Sequence, residues 1–310
     1  MIPGRLSLNN PVMAASGTFG YGVEFAARLD ISGVGGVVCK GLTIRPRPGH
    51  APPRIIETAA GMLNSIGLAN IGIDAAIAGM APKWAGMPVP VIANISGETP
   101  HEYVEMAGRL DGVEGVAAIE LNVSCPNVDR GGMLFGSKPE PAARLVSAVR
   151  PVTSLPLIVK LTPQAEDVPA VAGAVEREGA DAVTVANTFQ GLTIDIRRRE
   201  PTLTNVTGGL SGPAIKPLTL RLVYLVAQVV GIPIIGCGGV LSGEDAIEYL
   251  MAGASAVQVG TATLVDPFAV CRIAAELNDR LARDGVLDPR EVVGVANPRF
   301  AGKASASKKR

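Results

Sequence analysis

Eight short apolar runs recur along the chain: Pro11–Ala15, Val34–Cys39, Val89–Asn94, Val116–Leu121, Leu157–Lys160, Ala182–Val185, Pro233–Ile235 and Ala256–Val259. They are near-continuously apolar instead of alternating, the pattern of parallel strands buried on both faces. Helical patterns lie between them, at Glu24–Leu29, Ile73–Ala81, Pro100–Leu110, Pro141–Val149, Val168–Glu178, Leu218–Val230, Glu244–Met251 and Phe268–Arg283. Two helix starts carry capping chemistry, because Thr99 precedes Glu102 and Ser242 precedes Asp245 by three residues. Strict alternation of strand and helix predicts a single (β/α)8 barrel, with a doubly wound sheet as the other topology that the alternation permits. Three strand-to-helix links, near 41–68, 123–138 and 187–216, are far longer than such links usually are, and extra length at that end of a barrel builds active sites.

Composition narrows the class. The chain has 310 residues and is 47% hydrophobic, enough for one large core. The domain is expected to span residues 1–302, with a disordered basic tail at 303–310. Twenty-eight basic and 28 acidic residues cancel, so no global field attracts nucleic acid or an anionic membrane. Cys39, Cys125, Cys237 and Cys271 are widely separated, without zinc, iron–sulfur or disulfide-framework spacing, which suits a reducing cytoplasm. The opening residues lack the apolar run of a signal peptide, and Leu222–Ile235 is too short and too interrupted to span a bilayer.

The chemistry collects at the strand ends. Ser16, Lys40, Asn94, Asn122, Lys160 and Asn187 follow apolar runs, and in a barrel all converge on one face. Gly238-Gly239 and Gly260-Thr261, after the last two strands, read as a phosphate cradle, to which Gly212 could contribute. No G-x-G-x-x-G follows a strand and no P-loop occurs, so the phosphate belongs to a mononucleotide cofactor or a sugar phosphate. Cys125 is the cysteine with loop flanks, a candidate base or nucleophile if its thiolate is accessible. Cys39, Cys237 and Cys271 read as buried structural thiols. His50, His101 and Arg197–Arg199 read as solvated, outside the site.

Taken in order, Asn9-Asn10-Pro11, Ala15-Ser16-Gly17, Lys40-Gly41-Leu42-Thr43, Asn64-Ser65-Ile66-Gly67-Leu68, Asn122-Val123-Ser124-Cys125-Pro126-Asn127, Val159-Lys160-Leu161, Ala186-Asn187-Thr188 and Gly238-Gly239 closely resemble dihydroorotate dehydrogenases. The likeness runs from about residue 2 to 285. Cysteine at 125 resembles the soluble class 1 enzymes; class 2 enzymes carry serine there and an N-terminal extension that this sequence lacks. The opening and Asn127–Gly132 look like the NAD-linked class 1B type more than the fumarate-linked type.

The resemblance implies oxidation of dihydroorotate to orotate in pyrimidine biosynthesis, with Cys125 as base and one FMN per chain. It implies FMN contacts from Ser16, Lys40, Gly41, Asn94, Asn122, Lys160, Ala186, Gly212, Gly238, Gly239, Gly260 and Thr261. It implies substrate contacts from Lys40, Asn64, Ser65, Ile66, Gly67, Leu68, Asn122, Asn187 and Thr188. Gly131, Gly132 and Gly136 make the loop from Cys125 toward Ser137 a candidate lid, and no metal site is expected. The resemblance further implies a homodimer within a heterotetramer whose electron-transfer subunit holds FAD and a [2Fe–2S] cluster, since this chain has neither a dinucleotide fingerprint nor clustered cysteines. The rival readings are a flavin-free phosphate-binding biosynthetic barrel, a related flavin barrel acting on uracil or thymine, and a non-catalytic anion-binding subunit.

Overall fold

Eight parallel strands close into a barrel in the computed structural model, which describes residues 6–123 and 135–300. They are Val12–Ala14 (β1), Gly36–Val38 (β2), Val91–Ile95 (β3), Ala118–Asn122 (β4), Leu157–Lys160 (β5), Ala182–Val185 (β6), Ile234–Cys237 (β7) and Ala256–Val259 (β8). Each pairs in parallel with the next in sequence, and β8 closes on β1. All eight fall within or beside the apolar runs, and closure selects the barrel over the doubly wound sheet.

The strands are buried on both faces, for two different reasons. Outward residues meet helices that present one apolar stripe: Pro100–Leu110 buries Tyr103, Met106, Ala107 and Leu110, and Pro139–Val149 buries Ala142, Leu145, Val146 and Val149. Inward residues fill the barrel in layers. Met13, Val38, Ile92, Ala118, Ile158, Ala182, Ile235 and Ala256 form the lower layer, and Leu6 and Leu8 pack beneath it at the strands' amino ends. Above it the inward positions turn polar, with Asn94, Glu120, Lys160, Thr184 and Gln258 all buried.

Local chemistry explains the element ends. Ser242 and Asp245 form the complete reciprocal capping box, with Ser242 Oγ accepting from the Asp245 N–H and the Asp245 carboxylate accepting from the Ser242 N–H. Thr99 caps its helix through the Glu102 N–H, but the Glu102 carboxylate reaches one residue further back and accepts from the Glu98 N–H. The helix expected over Ile73–Ala81 runs as Gly72–Ala75, a π turn at Ala76–Met80 and Ala81–Trp84. Pro82 has no N–H for the α ladder, and the widened turn before it takes up the mismatch.

Two of the long links hold structure that the apolar pattern did not predict. Ile55–Thr58, Gly61–Asn64, Thr207–Ser211 and Phe189–Leu192 form a four-stranded antiparallel sheet in that spatial order. Ile194–Asp195 and Glu200–Pro201 form a small ribbon, with exposed Arg197, Arg198 and Arg199 in its turn. Among the described residues no helix is long and apolar enough to cross a membrane.

Candidate active site

A cavity of about 250 Å³ opens where the carboxyl ends of the strands meet the antiparallel sheet. Ser16, Lys40, Gly41, Asn94, Asn122 and Lys160 line it from the first five strand ends, and Ala186, Asn187 and Thr188 line it after β6. The Val185–Ala186 peptide there is cis. Gly212, Gly238, Gly239, Gly260 and Thr261 enclose one end. Asn64, Ile66, Gly67 and Leu68 enter from the sheet and its following loop.

Three expectations shift. Ser65 is fully buried and does not line the cavity; its hydroxyl and carbonyl turn onto the His50 ring. His50 is therefore half-buried and structural in this loop, in place of the solvated side chain expected of it. Cys237, read as a plain core thiol, lines the cavity beside Lys160. Cys125 and the segment 124–134 lie outside the described residues. His101 is exposed, as read from its place in a first helical turn.

The electrostatics have one sign. Lys40 and Lys160 are the charged side chains lining the cavity, and no Asp or Glu lines it among the described residues. Burial pulls the Lys40 ammonium below the usual lysine range, and the Arg54 guanidinium pulls it further the same way. Such a group gains from an anion. At Lys160 burial also pulls downward, but the neighbouring Cys237 and Glu120 outweigh it and hold the ammonium above its usual range.

Beneath the floor, Glu120 organises the polar layer that sequence reading missed. Its carboxylate accepts from Asn94 Nδ2, Thr184 Oγ1 and Gln258 Nε2, each at 2.7 Å. Lys160 Nζ donates to Gln258 Oε1 at 3.1 Å and lies 3.9 Å from Glu120 Oε1. A buried carboxylate costs several kcal/mol unless its lone pairs are satisfied, and this set of donors satisfies them. Asn94 Oδ1 is left buried and without a partner among the described residues. The run Val116–Leu121 held the available signal: Glu120 is the one polar residue in it, at an inward position.

The glycine-rich end is closely packed backbone. Gly239 has φ +69°, and a Cβ there would sit 2.8 Å from the Gly212 carbonyl oxygen. Thr261 Oγ1 donates to Ser211 Oγ at 2.8 Å, tying this end to the antiparallel sheet. Tyr249 OH donates to the Gly238 carbonyl at 2.6 Å from below. Backbone N–H groups bared in this way suit a phosphate.

Fold and cavity together define a (β/α)8 barrel with a cationic cavity at the carboxyl face of its strands, walled at one end by glycines. The chain belongs to the dihydroorotate dehydrogenase family, whose model matches residues 3–281. It is 51% identical over 289 residues to the dihydroorotate dehydrogenase B (NAD(+)) catalytic subunit of Geotalea daltonii, covering 93% of this chain and 95% of that protein. The subunit of the same name from Trichlorobacter lovleyi is 52% identical over 291 residues, covering 94% and 96%. That of Desulforudis audaxviator is 49% identical over 292 residues, covering 94% and 95%.

Proposed function

We propose that this chain oxidises (S)-dihydroorotate to orotate in pyrimidine biosynthesis, holding one FMN and passing the electrons to NAD through a partner subunit. The observation that carries this reading is the cavity itself, with two ammonium groups, no lining carboxylate among the described residues and a glycine-walled end, in a chain about half identical to NAD-linked catalytic subunits. A pyrimidine carboxylate and a flavin phosphate are both anions that such a cavity attracts.

The residues present fit FMN. The unpartnered Asn94 Oδ1 is an acceptor awaiting a donor such as an imide N–H, and Gly41 leaves room beside it, since a Cβ there would meet Asn94 Oδ1 at 2.9 Å. Gly212, Gly238, Gly239, Gly260 and Thr261 would hold the phosphate, and Ser16, Gly41, Asn122 and Ala186 would border the ring system. Lys160 would supply a fixed cation where negative charge collects on reduction. When bound, FMN supplies the acceptor for the hydride that leaves C6 of the substrate.

The chain's own part is positional and acid–base. Lys40 would bind the substrate carboxylate, because it is the half-exposed ammonium and has no ion-pair partner among the described residues. Asn64, Asn122, Asn187 and Thr188 would match the ring amides; each asparagine offers both a donor and an acceptor without charge. Ile66, Gly67 and Leu68 would close one side of the ring, with Ser65 supporting them from behind. Cys125 would take the proton from C5 as the C6 hydride departs, leaving the C5–C6 double bond of orotate.

The proposal extends to the assembly: a homodimer joined by electron-transfer subunits carrying FAD and [2Fe–2S], in the cytoplasm. The relatives' name specifies a catalytic subunit, which supports a separate partner. The test is anaerobic addition of dihydroorotate to the isolated yellow chain, followed by NAD. Rapid bleaching that NAD fails to reverse supports both the half-reaction and the missing partner. Bound flavin that dihydroorotate does not bleach would sink the substrate assignment.

A further inference from the structure

The carboxylate of Glu120 touches neither the cavity nor bulk water, yet it determines how the amides of Asn94 and Gln258 are turned. It is fully buried and is not among the residues lining the cavity. A carboxylate offers acceptors only, so each amide beside it must turn its NH2 toward it. Asn94 therefore points Nδ2 at Glu120 Oε1 and leaves Oδ1 as the acceptor on the other side. Gln258 likewise points Nε2 at Glu120 Oε2, which leaves its Oε1 to receive Lys160 Nζ at 3.1 Å. Thr184 completes the shell by donating Oγ1–H to Glu120 Oε2.

The same carboxylate also lies 3.9 Å from the Lys160 ammonium, in a layer where the side chains are buried. Charges at that separation, away from water, act strongly on one another and on any group above them. A lone cation under a flavin favours the reduced form; a neighbouring carboxylate cancels part of that field.

We propose that Glu120 is a positioning residue that sets the reduction potential of the bound flavin, by holding Asn94 and Gln258 as acceptors and offsetting part of the Lys160 charge. This rests on the flavin reading above. Glu120 moves no proton and meets no substrate; it acts through Asn94, Gln258 and Lys160.

Glu120→Gln tests it, because the variant removes the charge at nearly constant volume. With the carboxylate gone, Lys160 stands uncompensated, and the reduced flavin is expected to bind at least about tenfold more tightly relative to the oxidised form. For two electrons that is a positive shift of about 30 mV in midpoint potential. The KM for dihydroorotate is expected to stay within about twofold, since Glu120 is separated from the substrate-binding groups, while kcat changes. Gln258→Leu provides a second reading should the first variant fold poorly. It keeps the Glu120 charge and removes the amide that bridges it to Lys160, donating to the carboxylate and accepting from the ammonium, so Glu120 offsets the Lys160 charge more fully and the potential is expected to move in the negative direction. A merely structural role would lower flavin content and melting temperature and leave the potential of the bound fraction unchanged. An unchanged potential in whichever variant retains flavin, or a negative shift in Glu120→Gln, overturns the proposal. Wild-type protein that binds no flavin would instead overturn the cofactor reading on which it stands.

Discussion

The His50 ring is seated on Ser65: its Nδ1 lies 3.0 Å from Ser65 Oγ and 3.2 Å from the Ser65 carbonyl oxygen. Its backbone N–H donates to the Ile66 carbonyl at 3.0 Å, and a Cβ on Gly67, where φ is +72°, would strike the ring at 2.5 Å. The histidine thus shapes the loop that presents Asn64, Ile66 and Leu68 to the cavity. His50→Ala is expected to raise the KM for dihydroorotate about three- to tenfold, the worth of roughly one hydrogen bond. Flavin content and kcat should stay near wild type. A variant that loses flavin, with KM unchanged, would show that the loop serves the cofactor instead.

Lys40 gives a pH dependence of known sign. Burial, and then Arg54, hold its pKa below the ordinary lysine value. A bound carboxylate raises it again, so between the free and bound values binding takes up a proton. Orotate affinity is therefore highest below the free-protein pKa and falls as pH rises through it, earlier than for an exposed lysine. Isothermal titration across alkaline pH reads this directly. Lys40→Ala should weaken orotate binding about ten- to a hundredfold, the value of a charge-assisted contact, and abolish the alkaline fall. Persistence of that fall in the variant would assign it to another group.

Gly239 tests the cradle. A methyl group at this position would meet both the Gly212 carbonyl and Lys216 Cβ at 2.8 Å, in a backbone conformation that side chains rarely adopt. Gly239→Ala is expected to destabilise the fold by about 1–3 kcal/mol and to leave protein that emerges from gel filtration largely colourless. Full flavin occupancy in a folded variant would remove this turn from the phosphate site.

Asn70 is a structural prediction independent of any ligand. Its Oδ1 accepts from the Thr43 and Gly72 N–H groups, and its Nδ2 donates to Thr43 Oγ1 and the Leu68 carbonyl. Asn70→Ala strands two backbone donors, at about 1–3 kcal/mol for each one left buried and unsatisfied. A loss of about 2–4 kcal/mol in urea unfolding is expected, with Leu68 freed in the process. A change under about 0.5 kcal/mol, the range of an ordinary surface substitution, would mean that water replaces the side chain.

Cys125→Ala is expected to lower the rate of flavin bleaching by dihydroorotate about 10²–10⁴-fold, the usual range for a general base, with flavin still bound. Near wild-type bleaching would move the base to another residue.

The apolar runs were readable because parallel strands covered by helices need apolar residues on both faces, and that requirement acts on contiguous sequence. The convergence of Lys40, Asn94, Asn122, Lys160 and Gly238-Gly239 was readable as well: in a closed parallel barrel every strand delivers its carboxyl end to the same face. Only the tertiary structure decided what lies between distant segments. Gly61–Asn64 and Thr207–Ser211 are short, and two of the latter's residues are glycine, so neither announces a strand until each supplies the other's hydrogen bonds across some 145 residues. Ser65 faces away from the cavity because His50 takes its hydroxyl. Glu120 looks like a flaw in a strand until Asn94, Thr184 and Gln258 arrive from three other strands to satisfy it. Burial on a strand is a local demand that sequence must meet in place, whereas satisfying a buried polar group needs partners that only closure of the barrel brings together.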